Sequence, residues 1–161
     1  MITFVIKALS EADIPLWLAL AHEYDLYIQP LIADLMVFYY GFDTYMLTKI
    51  QHQEAFMAVE RAKPEQCGGI IAFSRTHNRI TFFGVSGQYN VEDVGVFLLQ
   101  HAFSQLDLSR YITVNTLKSD AGVFRREKKL FEEVGFIEQD ETVLEAGIPA
   151  HLLRLSPANT K

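Results

Sequence analysis

A chain of 161 residues, 50% hydrophobic and 21% charged, is long enough for one domain with a sizeable core and too apolar to be disordered. The net charge of −6 argues against nucleic-acid binding, which needs a basic face, and is compatible with cationic partners such as amines. The lone cysteine, Cys67, excludes an intramolecular disulfide and a cysteine-rich metal site, and no run approaches the roughly 18 apolar residues that span a bilayer.

Residues 1–7 carry no basic stretch ahead of their apolar run, so 2–8 read as a first strand rather than a signal peptide, with the cytoplasm as the default location. Ser10 or Asp13 then caps a helix in which Pro15 falls in the first turn. Ile14, Trp17, Leu18, Ala21, Tyr24 or Asp25, and Ile28 recur at helical spacing until Gln29-Pro30 interrupts them. Residues 31–41, rich in Leu, Met, Phe and Tyr, are expected to form a short helix and a loop, and a further helix from Phe42 ends near Gln51. A strand over 55–59 and a polar turn over 62–66 follow. The strands 69–74 and 79–85, joined by Thr76-His77-Asn78, are expected to form a hairpin.

Residues 80–103 are the most informative part of the chain. A β-branched and aromatic strand passes through a short Gly-containing turn into a helix whose Val94, Phe97, Leu98, Ala102 and Leu106 share one face. Free N–H groups at such a helix start, together with the helix dipole, suit an anion. A strand over 111–117, a charged helix over 124–134 with Leu130, Phe131 and Val134 inward and Gly135 as its C-cap, and final strands over 136–144 and 150–155 complete the pattern. The tail from Pro157 is polar and expected to fray. No repeat or linker marks a boundary, so 1–161 read as one mixed α/β (α+β) domain with a largely antiparallel sheet flanked by helices.

The strand–loop–helix segment resembles the cofactor-binding motif of the GNAT superfamily, the acyl-CoA-dependent N-acetyltransferases. Val85 and Tyr89 match the motif's Val and loop Tyr, and Leu98-Leu99 match its Leu pair. Asn90 stands where the motif has Gln or Arg, Asp93 where it has its first Gly, and Gly95 where it has its second. A second landmark, Leu130-Phe131-Glu132-Glu133-Val134-Gly135-Phe136, resembles the family's Leu-Tyr-Glu-Lys-Leu-Gly-Phe, and the element order extends the resemblance over nearly the whole chain.

The resemblance implies transfer of an acetyl group from acetyl-CoA to a small-molecule or protein amine, by direct attack in a ternary complex. It also implies that the backbone of Phe83, Gly84 and Val85 pairs with pantetheine. The amides of Val91, Glu92, Asp93, Val94 and Gly95 would face the pyrophosphate, behind Asn90. Phe131 holds the position of the family's proton-donating Tyr and has no proton to give, which leaves Tyr89 or Tyr111 as substitutes. No Asp or Glu lies within 79–85 or 111–117, which leaves a water chain to bulk solvent as the base; Glu23, a catalytic candidate one turn from Tyr27, either lines an acceptor pocket or belongs to a solvated face.

Asn90 and Asp93 also have the spacing of a helix cap that would satisfy those amides from within the chain. This keeps a second reading open, a non-catalytic GNAT-like binding or regulatory domain, and a weaker third, a transferase with another acyl donor. Phe38, Tyr39, Tyr40, Phe42 and Tyr45 wall a pocket, form a homodimer contact or fill the core. The five histidines lack metal-ligand spacing, and Arg125-Arg126 with Lys128-Lys129 hold cofactor phosphates or face water.

Overall fold

The computed structural model describes residues 2–157, and the tail expected to fray lies outside them apart from Pro157. Seven strands form one sheet: β1 (Phe4–Ala8), β2 (Ala55–Glu60), β3 (Lys63–Ser74), β4 (Arg79–Val85), β5 (Ile112–Leu117), β6 (Ile137–Glu145) and β7 (Ile148–Leu155). Their order across the sheet is β1-β2-β3-β4-β5-β7-β6, and every pairing is antiparallel except β4 with β5. Four helices precede β2: α1 (Ile14–His22), the single turns α2 (Asp25–Ile28) and α3 (Leu35–Phe38), and α4 (Phe42–Gln51). α5 (Val91–Gln105) and α6 (Gly122–Glu133) come later. No helix among the described residues is long and apolar enough to cross a membrane.

Alternation along the strands separates two cores. Trp17 and Leu20 of α1 and Met46 of α4 pack with Met57, Ile70 and Ala72. Val94, Leu98 and Ala102 of α5 and Leu130 and Phe131 of α6 pack with Ala58, Ile71 and Phe73, the intervening positions of the same strands. The face predicted for α5 is the one it buries, each such side chain contributing about 1.5–3 kcal/mol. A smaller group, Tyr24, Ile28, Phe124 and Ile148, joins α2, α6 and β7.

Two expectations need correction. The helix expected to run from Ile14 to Ile28 is interrupted after His22: Glu23 and Tyr24 keep right-handed dihedrals, but the Tyr24 N–H bonds the Ala21 carbonyl three residues back, and that carbonyl also accepts the Tyr39 hydroxyl. The turn expected over 62–66 is confined to Arg61 and Ala62, and β3 already begins at Lys63. Register shifts around Val59 absorb the extra residues, so the polar stretch 63–66 is the exposed end of a long strand.

Two turns bear on the site. Asn78, at φ 53°, closes the β3–β4 hairpin, and its side chain bonds the backbone of Asp107 and Tyr111, tying β4 to the entrance of β5. Ala146 and Gly147, at φ 50° and 85°, form a two-residue tip between β6 and β7, where only left-handed residues match the strand twist.

Candidate functional site at the split between β4 and β5

β4 and β5 share one ladder pair, Arg79 with Thr113, and then part toward Val85 and Leu117, so the gap-facing backbone of β4 has no strand partner beyond its first residue. α5 starts just past the open end. Phe83 turns toward α5 and α6, its ring 5.0 Å from that of Phe131. A Cβ on Gly84 would lie 3.4 Å from Leu20, an ordinary contact with α1.

Over the joined end of the split lies a cavity of about 450 Å³. Its walls come from Ala21 and Tyr24, from the rings of Phe38, Tyr39, Tyr40, Phe42 and Tyr45, from β4 and β5, and from Phe124, Glu127 and Phe131 of α6, with Glu145 and Ala146 of the β6–β7 tip closing one side. The aromatic run of 38–45 is therefore a pocket wall. A register shift between Ala72 and Phe73 leaves Thr81 as an extra residue on β4. Thr81 and Phe82 consequently both meet α4, through the Tyr45 hydroxyl at 2.5 Å and the Phe42 ring at 6.1 Å.

At the open end, Glu127 reaches in from α6. It is 6% exposed, and its Oε2 accepts a hydrogen bond from the Tyr24 hydroxyl at 2.7 Å. That hydroxyl accepts the Val85 N–H at 3.0 Å and lies 3.3 Å from the Val85 carbonyl oxygen. Burial pushes the Glu127 carboxyl up to about 8, against the opposing pull of the Tyr24 bond and the Arg126 charge. Burial, then the neighbouring Glu127, pushes the Tyr24 phenol well above its ordinary value. β4 and β5 do lack an acid, as the sequence says; the buried carboxyl beside them comes from α6, read from the sequence as a charged helix with Leu130, Phe131 and Val134 inward. Its signal was visible: Phe124, Glu127, Leu130 and Phe131 have the spacing of one helical face, so Glu127 is a carboxylate within an apolar stripe.

The other sequence-derived candidates fall elsewhere. Glu23 does not line the cavity. Its Oε1 accepts the Gly87 N–H at 2.9 Å and lies 3.4 Å from Ser86 Oγ, latching the β4–α5 loop, while Tyr27 sits half-exposed against Phe124. Tyr89 also lies outside the cavity; its hydroxyl donates to Glu60 at 3.0 Å and its ring meets Phe4 edge-on. Phe131 does line the cavity, at 1% exposure, between Phe83 and Phe136.

At the start of α5, the Asn90 side chain accepts the amides of Glu92 at 2.9 Å and Asp93 at 3.3 Å, and its carbonyl accepts that of Val94 at 3.2 Å. The cap expected at Asn90 is present. Its reciprocal half is not, since among the described residues Asp93 makes no bond back to the Asn90 amide; the closed version occurs at Ser10, whose N–H donates to Asp13 at 2.9 Å. Val91 is thus the one residue of 91–94 whose amide has no such partner. Gly95 faces inward, where a Cβ would stand 2.4 Å from Leu130 and 3.0 Å from Phe83, so it sets how closely α5 approaches α6 and β4.

No protein-family model matches the chain, and no curated protein matches it. Solved structures do. An acetyltransferase of the GNAT family from Streptococcus agalactiae superposes with a TM-score of 0.71 at 11% identity, covering 97% of this chain and 96% of the other. The PaiA N-acetyltransferase of Thermoplasma acidophilum, in complex with coenzyme A, gives 0.69 at 13% identity over 96% and 99%. The ribosomal-protein-S18-alanine N-acetyltransferase of Escherichia coli gives 0.63 at 14% identity over 99% and 97%. The chain has the GNAT fold.

Proposed function

We propose that this GNAT-fold chain moves an acetyl group from acetyl-CoA to an amine by direct attack in a ternary complex, with Glu127 as the group that takes the amine's proton. The observation that carries this reading is the buried Glu127–Tyr24–Val85 chain at the open end of the split, beside an aromatic cavity. A carboxyl with a pKa near 8 suits proton exchange with an alkylammonium at neutral to mildly alkaline pH. Acetyl-CoA supplies an acyl thioester. The gap edge of Phe83–Val85, where the Tyr24 hydroxyl now takes the Val85 N–H, would hold its pantetheine arm as an added strand once that bond gives way, and the Val91 amide at the start of α5 would face the pyrophosphate.

Within the site, Glu127 takes one proton from the amine as its nitrogen bonds to the acyl carbon. The C–S bond breaks with its electron pair going to sulfur. Glu127 then holds the proton that neutralises the thiolate, whose ordinary pKa of about 8.5 lies close to its own. The Val85 N–H, now donated to the Tyr24 hydroxyl, would serve the developing oxyanion once substrate displaces that bond. A concave, aromatic-lined cavity of about 450 Å³ favours a small-molecule amine over a protein lysine.

A second reading, a non-catalytic binding domain, rests on a specific observation: Tyr24 engages both backbone groups of Val85, and Asn90 takes amides that an anion would use. Calorimetric titration with acetyl-CoA, followed by thiol release in the presence of benzylamine, separates the two. Binding with release supports the transferase; no binding at millimolar acetyl-CoA supports the binding domain; binding of another acyl-CoA alone points to a different donor.

A further inference from the structure

Arg79, the first residue of β4, lies in the cavity wall at the joined end of the split, opposite Thr113. Its Nε is out of solvent without a partner, and no carboxylate among the described residues lies within ion-pair distance of its guanidinium. Glu145, across the cavity, is already engaged: its Oε2 accepts from Asn115 Nδ2 at 2.8 Å. That bond leaves Asn115 Oδ1 buried and unpartnered beside Arg79's strand. A buried guanidinium donor without an acceptor is costly in a finished core. In a cavity wall it is a contact waiting for a ligand.

The cavity is therefore polarised along β4. A cation without an anion stands at the joined end, and a carboxyl, Glu127, stands at the open end, with the rings of α3 and α4 between them. Six residues of strand separate Arg79 from Val85, roughly 20 Å before the Arg79 and Tyr24 side chains reach inward. A span of that kind takes a ring-sized spacer.

We infer that the ligand of this cavity is a primary amine bearing a carboxylate on the far side of an aromatic or similarly flat apolar spacer, with the carboxylate held by Arg79 and the amine directed to the open end of the split. The inference names the acceptor class of the transferase reading and rests on that reading for what happens to the amine; the anion site itself does not depend on it. A planar guanidinium fits a carboxylate through two parallel N–H···O bonds, which a neutral amide cannot reproduce. Asn115 Oδ1 would accept from a donor on the ligand or from a water bound with it.

Calorimetric titration of the whole chain without acetyl-CoA tests the site, using 4-(aminomethyl)benzoate against 4-(aminomethyl)benzamide, which has the same shape and no anion. The expected result is tighter binding of the benzoate by about tenfold or more, from the charge-assisted bonds. Arg79→Gln should abolish the preference and Arg79→Lys should retain part of it. Equal affinities, or no binding of the benzoate, overturn the inference, and because both come from the unaltered protein they do so even if the variants fail to fold. Acetyl-CoA titrated separately reports on the transferase reading. Acetyl-CoA binding with no benzoate preference sinks the anion site alone, whereas benzoate preference without acetyl-CoA binding sinks the transfer reaction and leaves the site standing.

Discussion

The cavity wall and the loop after β4 lie at opposite ends of one short strand and treat their polar groups in opposite ways. At the cavity, Arg79 Nε, Asn115 Oδ1 and Thr116 Oγ1 are buried with no partner. At the loop, Val85 is bonded to Tyr24, Gly87 to Glu23, and Glu92 and Asp93 to Asn90. Polar groups left unmade in a folded protein cost stability, and the first end leaves that cost standing. The second end has been completed from within. A helix start whose amides are already capped, with the carboxylates of Glu92 and Asp93 in its first turn, attracts an anion less than a bare one does. The chain leaves polar groups unmade at one end of the split and satisfies them at the other.

The contrast breaks most readily at Glu127. Glu127→Gln should lower acetyl transfer by about a hundredfold or more, the size of a general-base contribution, in a thiol-release assay; undiminished turnover would remove Glu127 from the mechanism. The same substitution should change how stability responds to pH. Glu127 titrates near 8 when folded, above its ordinary 4.5. Between those values the folded chain keeps a proton that the unfolded chain has lost, so rising pH favours unfolding by up to about 1.4 kcal/mol per unit across that window. Urea titrations at pH 5 and pH 8 should show that slope reduced in the Gln variant.

Asp93→Gly tests the phosphate side by removing a carboxylate from the helix start. It should tighten acetyl-CoA binding by about tenfold, since one charge about 6 Å from a phosphate is worth up to roughly 3 kcal/mol before salt screens it. Unchanged affinity in calorimetry would make Asp93 a bystander. Tyr24→Phe frees the Val85 N–H and should tighten acetyl-CoA binding by a smaller factor, about fivefold, while costing roughly 1 kcal/mol of stability for the lost hydrogen bonds. Weaker binding would mean that Tyr24 holds the cofactor rather than its place. Phe131→Tyr should have the least effect. It returns a proton donor to the cavity wall, so the rate should hold or rise modestly, with about 1 kcal/mol lost if the hydroxyl finds no partner among the surrounding rings.

The strands, the β4–α5 junction and the cap at Asn90 were legible because each is local: alternation, a strand composition running into a helical one, and an Asn ahead of an apolar helical stripe. The acceptor side was less so. Tyr24 and Glu127 are 103 residues apart, and no local pattern joins them. Glu127 was masked by the charged run around it, although its place among Phe124, Leu130 and Phe131 marked it. The break after His22 was hidden for the same reason, since the Ala21 carbonyl there accepts the hydroxyl of Tyr39, a partner 18 residues away. The rings of 38–45 were recognised as a group, but their role depended on a one-residue shift in β4 that turns Thr81 and Phe82 to the same side.

The β6–β7 tip gives the cavity a property of a different kind. Glu145 and Ala146 close one side of it, the last residue of β6 and the first of the two-residue turn at the end of a long hairpin. Such turns accept insertions more readily than helices or central strands do. Lengthening this one would reshape the chamber without touching Glu127, Tyr24 or the split. On the proposed transferase reading, the choice of acceptor would then be separable from the chemistry, set by a few residues at the end of one ribbon.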